Sequence, residues 1–179
     1  MARVTEVAKA RKPTRCTRCG EEIPKGSPYR HATPGFRGQK INRCMKVECR
    51  FRPSDLTTSK MATVYAAQED AEDQIDGWTL EDGLDGLTDI LGSVVEAARE
   101  VAAEYQEAAE AMGEAGAENQ ERADELESYA DDLEGFDPEM PDLDEDGDEE
   151  DEGEEKEDPE DQAQAIRDEA FEILGNLSL

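Results

Sequence analysis

Four cysteines, grouped two and two, constrain this chain more than any other feature. They fall at Cys16-Thr17-Arg18-Cys19 and at Cys44-Met45-Lys46-Val47-Glu48-Cys49, with 24 residues between the pairs. Four thiolates in two pairs meet the needs of a closed, tetrahedral Zn²⁺ site. A CxxC followed by glycine suits a metal-binding turn. Backbone N–H groups can point at the first sulfur, and Gly20 can adopt positive φ without steric cost. A module of about forty residues cannot bury a self-sufficient core, so bound metal is expected to supply much of its folding free energy. The same residues also allow two disulfides, a redox CxxC or free thiols. No secretory leader is recognisable, which points to a reducing, cytoplasmic compartment and argues against disulfides. A redox CxxC belongs in a βαβ setting, and the sequence shows none.

Charge divides the chain. Residues 1–60 carry 15 Lys+Arg against 5 Asp+Glu, a net of +10, and residues 61–179 carry 4 against 43, a net of −39. Aromatics are only 5% of the whole, so long stretches must stay solvated. The asymmetry describes a basic head able to meet an anion, joined to an acidic body. No apolar run is long enough to span a membrane.

The pattern predicts a mainly α protein in five parts. Residues 1–14 read as a flexible basic arm ending at Pro13. Residues 15–53 are the zinc-binding module. There, residues 20–29 alternate turn residues with single apolar ones, which predicts a short hairpin leaving the first metal turn, with Ile23 and Tyr29 as its core. The cations Arg15, Arg18, Lys25, Arg30, Arg37, Lys40, Arg43, Lys46, Arg50 and Arg52 lie among Tyr29, Phe36 and Phe51. Cations can contact phosphates and aromatics can stack on bases, so these ten are the candidate nucleic-acid contacts. Equally, the aromatics can fill the small core and the cations can meet acidic protein, including this chain's own body. His31, the lone histidine, reads as a surface residue rather than a ligand.

The CxxCGxxIxxG pattern with its distant second pair resembles treble-clef and zinc-ribbon fingers over residues 15–53. The four-residue gap between Cys44 and Cys49 departs from the usual second CxxC and leaves ribbon and treble clef both open. In overall organisation the chain resembles small zinc-finger accessory proteins of tailed bacteriophages, which implies residence in a bacterial host's cytoplasm.

Residues 54–136 form the predicted helical body. A first helix runs to about Ile75, with Asp76-Gly77 as its stop and Thr79 as the cap of the next. From Leu80 the apolar residues follow steps of four and three, through Leu84, Leu87, Leu91, Val94, Ala98, Val101, Tyr105, Ala108 and Met112. Gly113 and Gly116 predict a break near 113–118, with a second helix from about Asn119. Val95, Ala102, Ala109, Ala123 and Ala130 widen the stripe with small residues, which fits a close-packed hairpin or bundle better than a two-stranded coil. Arg122 falls on the inner side and fits poorly there. Trp78 reads as a packing plug, and Glu96, Glu100, Glu104 and Glu107 as a solvated face. Residues 137–158, nearly all Asp, Glu, Pro and Gly, read as an acidic disordered linker. Residues 159–179 read as an amphipathic helix that either docks on the body or binds a partner.

These features point to a non-enzymatic adaptor or regulator. Its basic head would contact nucleic acid or an acidic partner, and its helices would mediate protein association. An acidic DNA mimic that occupies a nucleic-acid-binding host protein is the alternative, and a structural scaffold is a third. No Ser/His/Asp set, phosphate loop or open metal site suggests an enzyme.

Overall fold

The chain divides into two units of different construction, Met1–Ala66 and Ala67–Leu179. A computed structural model describes residues 2–35, 38–138 and 159–177. The protein is mainly α, and among the described residues the short strands lie in its N-terminal region.

In the first unit the strands are too short to hold by themselves, and backbone pairing across long sequence separations assembles them. Strand β1 (Thr5–Val7) pairs antiparallel with β4 (Tyr29–Ala32), and β4 pairs with β5 (Ile41–Arg43). A second pair, β2 (Thr14–Arg15) with β3 (Glu22–Ile23), encloses the first cysteine turn. The expectation of a flexible arm over residues 1–14 is therefore corrected. Thr5 sits opposite His31, and Ala10 exchanges backbone bonds with Gly26 and Ser27 at 2.9 Å each. These residues are held through their main chain, Thr5–Val7 along the edge of β4, which needs no apolar period. Ala10, Cys16, Ile23 and Cys49 form the buried cluster, with Tyr29 and Cys44 packed against it. Ile23 and Tyr29 thus share a core as expected, although the strand pair wraps the cysteine turn instead of leaving it. Helix α1 (Pro53–Leu56) begins with proline at its first turn, where a missing N–H costs nothing.

Helix α2 spans Met61–Ile75. In the second unit, Trp78 is buried and its indole N–H donates to the Gly83 carbonyl at 3.0 Å. Thr79 caps a 3₁₀ turn over Leu80–Asp82, so the long helix α3 spans Gly83–Met112 and starts after Leu80. A 3₁₀ turn, Gly113–Gly116, reverses the chain into α4 (Ala117–Glu134). The antiparallel pairing is fixed at both ends. Asn119 Nδ2 reaches Met112 Sδ at 3.4 Å, and Arg99 reaches Asp131 and Glu134.

The buried face of α3 follows the heptad from Leu87 to Tyr105 and includes Val95, Ala102 and Ala109. It meets Ala123, Leu126, Tyr129, Ala130 and Leu133 of α4. Small residues along both helices allow close approach of the backbones. The stripe fails at its end: Met112 is 55% exposed because the chain leaves the helix there. Arg122 is accommodated without burial of its charge. Its guanidinium lies 5.8 Å from the Tyr105 ring and pairs with Glu118 at 2.9 Å.

Helix α5 (Pro159–Leu174) docks on this body. Gln68 donates to both the Tyr129 hydroxyl and the Leu174 carbonyl at 2.8 Å, and the Tyr129 hydroxyl donates to the same carbonyl at 3.1 Å. Buried Arg167 donates to the Trp78 carbonyl at 2.9 Å and to Glu160 at 2.7 Å. The predicted disordered linker lies, apart from Asp137 and Pro138, outside the described residues.

Candidate metal centre

Each half of the cysteine cluster is shaped by its own backbone. The first pair sits on the turn between β2 and β3. The Gly20 amide donates to the Cys16 carbonyl at 3.0 Å, and the Cys16 amide donates to the Glu21 carbonyl at 2.9 Å. Closing so tight a turn puts Gly20 at φ 74°, a conformation that costs a side-chain-bearing residue but not glycine. Cys44 follows the end of β5, and Cys49 ends a 3₁₀ turn, Val47–Cys49.

A set of side-chain bonds holds the two halves in register. The Thr17 amide and hydroxyl both donate to the Asn42 carbonyl, at 2.8 and 3.0 Å. Arg43 donates to Thr17 Oγ1 and to Asp55 Oδ1, each at 2.6 Å, and its guanidinium lies 5.6 Å from the Phe51 ring. The first cysteine turn, the residue before Cys44 and α1 are thereby joined.

The result brings the four predicted ligands together. The sulfurs of Cys16, Cys19, Cys44 and Cys49 all lie within 4.8 Å of one another. All four thiols are free, so the disulfide alternatives are not what this geometry holds. Cys16 and Cys49 are buried, Cys44 is half-buried and Cys19 is exposed. Among the described residues this is the one cluster of His, Cys, Asp or Glu side chains close enough to hold a metal ion.

Electrostatics within the cluster are uneven. Burial opposes ionisation of Cys16, but N–H groups of Cys19, Cys44 and Arg18 donate to its sulfur and hold the thiol down at about 6. Burial and the neighbouring sulfurs of Cys44, Cys19 and Cys16 push Cys49 up to about 12. Burial also raises Cys44. One site favours a thiolate while its neighbours resist further negative charge, and a cation at the centre resolves that conflict. His31 lies apart on β4, opposite Thr5 and Asn42. Burial first, then Lys40, lowers its pKa.

The ten candidate cations divide. Arg43 is 7% exposed and committed to Thr17 and Asp55, so its reading as a nucleic-acid contact is corrected. Arg30 pairs with Glu6 at 2.9 Å and Lys46 with Glu21 at 2.6 Å. Lys40 donates to the Tyr29 hydroxyl at 3.3 Å, and Arg52 is half-buried at the start of α1. Arg15, Arg18, Lys25 and Arg50 are exposed. Arg37 lies outside the described residues. Sequence reasoning missed Thr17, Asn42 and Asp55 as positioning residues. Only the placement of Thr17 next to Cys16 and of Asn42 two residues before Cys44 gave any hint.

No protein-family model, curated protein or solved structure matches the chain. Among the described residues no helix is long and apolar enough to cross a membrane.

Proposed function

We propose that the first unit is a zinc finger of treble-clef type and that the protein is a non-catalytic adaptor, its basic head contacting nucleic acid and its helical unit a protein. The convergence of four free thiols carries this reading. Zn–S bonds of about 2.3 Å in a tetrahedron require S···S edges of about 3.8 Å. Cys19 Sγ and Cys44 Sγ stand 3.9 Å apart. A cysteine turn on one strand pair, a β4–β5 hairpin and a final pair entering a helical turn follow the treble-clef order. A ribbon would place its second pair on another hairpin turn. Zinc here has a structural role, because four thiolates leave no open position for substrate.

Nucleic-acid contact is supported by Arg15, Arg18, Lys25 and Arg50, which project from the finger. The test is binding of the zinc-loaded full chain to unrelated DNA and RNA at low salt, beside a variant carrying Arg15→Glu, Arg18→Glu and Arg50→Glu. Binding should weaken with salt, and the variant should lose most of it. Equal binding by both proteins would defeat the reading. The DNA-mimic alternative draws on the acidic outer face of α3 and α4, where Glu96, Glu100 and Glu107 are exposed. It predicts no nucleic-acid binding and salt-sensitive capture of a basic DNA-binding protein.

A further inference from the structure

Gly92 stands in the middle of α3, where glycine weakens a helix. Packing does not require it, since a Cβ built at Gly92 meets nothing within 4 Å. Gly92 itself lines a cleft of about 140 Å³ between α3 and the end of α4. Leu91, Val95, Leu133 and Phe136 line that cleft. A dry apolar cavity of roughly 150 Å³ accepts a benzene ring, so this one suits a single aromatic or branched aliphatic side chain. Gly92 keeps the entrance open.

The rim is acidic. Glu134 borders the cleft, which continues past Gly92 and Val95 onto Glu96 and Glu100. Arg99, the cation among these lining residues, is held by Glu134 at 2.6 Å and Asp131 at 3.0 Å.

We propose that this cleft docks a basic segment of a partner protein, which inserts one aromatic or aliphatic side chain beside Gly92 and sets flanking Lys or Arg against the rim. Charge selects that occupant. The chain's own residues 139–158 offer Met140 and Leu143 but bring fourteen acids and one lysine. A second copy of the helical unit brings the same surplus of carboxylates. A basic segment satisfies both the apolar floor and the rim. The inference concerns the protein-binding half of the proposed adaptor and does not depend on the metal site.

The test uses the full chain and a short labelled peptide with one Phe between pairs of Lys and Arg, followed by fluorescence anisotropy at physiological salt. Replacing the peptide's Phe by Ala should weaken binding by about tenfold or more, as expected for a buried anchor. Gly92→Leu should fill the cleft and weaken binding comparably, with a melting temperature equal to or above wild type. Gly92→Ala should do so by less. Glu96→Gln with Glu100→Gln should weaken binding by an amount that fades as salt rises. Unchanged affinity in both Gly92 variants would reduce the attraction to bulk charge and overturn the proposal. Much tighter binding after Met140→Ser with Leu143→Ser would assign the cleft to the chain's own segment and overturn it equally.

Discussion

The guanidinium of Arg43 donates to the Asp55 carboxylate at 2.6 Å, with side-chain exposures of only 8% and 19%. Asp55 also accepts from the Arg52 amide at 3.2 Å, at the start of α1. A cation in a basic module is here part of the frame that sets Cys44 beside the first cysteine turn. Removing one member of a buried pair strands the other, at a cost of about 3–5 kcal/mol. Asp55→Ala should therefore lower the unfolding temperature of the metal-loaded first unit more than Arg50→Ala does. Calorimetry on both full-length variants checks this, and equal melting would show that the pair contributes little.

The metal site makes a separable demand. Cys19→Ser, or a strong chelator, should remove the ordered signals of the first unit while leaving most helical circular dichroism, because α3 and α4 bury their own core. In the metal-free finger, Cys49 at about 12 and Cys44 above its usual value are protonated at neutral pH. Binding must displace at least these two protons, so affinity should fall as pH falls, by about a hundredfold or more per unit near neutrality. Below about 6, Cys16 begins to hold its proton as well and the slope should steepen. Competition titrations across pH measure the slope directly, and a flat profile would argue against thiolate ligation.

Sequence and structure agree where a pattern is set by burial. The heptad from Leu87 to Tyr105 is legible because a helix with one packed face must repeat its apolar residues every three or four positions. The paired cysteines are legible because a metal needs its donors grouped. Strand β1 was not, since three residues paired through their backbones leave no periodic trace. Nor was the role of Arg43, one of ten cations spread through residues 15–53. Its burial follows from the position of Asp55, twelve residues on. Gly92 carries no pattern in the sequence beyond a glycine within a helical stretch, because the cleft beside it is formed in part by residues about forty positions on.

The hairpin turn rests on Gly116. A Cβ there would collide with the Ala109 carbonyl oxygen and stand 2.6 Å from the Ala109 Cα, both rigid backbone. Gly116→Ala should destabilise the helical unit despite alanine's better helix propensity. Gly92→Ala, which meets nothing, should stabilise it by up to about 1 kcal/mol. Leu126→Ala, at a fully buried position, should cost about 2–5 kcal/mol. Urea denaturation of the three variants gives the order, and a stabilised Gly116→Ala would refute the close approach.

Tyr129 gives the helical unit a titratable joint. Its hydroxyl donates to the Leu174 carbonyl and accepts from Gln68, tying α4 to α5 and α2. Burial pushes its pKa up to about 12, above the ordinary value near 10. A folded-state pKa above the unfolded one means that the neutral form stabilises the fold. That contribution is complete below about 10 and is lost as pH rises through about 12. The unit should therefore lose stability across that alkaline window, and tyrosinate absorbance should rise with loss of helix. Tyr129→Phe removes the titrating group and one donor. It should start about 1 kcal/mol less stable at neutral pH, yet lose less between 10 and 12 than wild type does. If the two proteins show the same alkaline decline, Tyr129 does not control it.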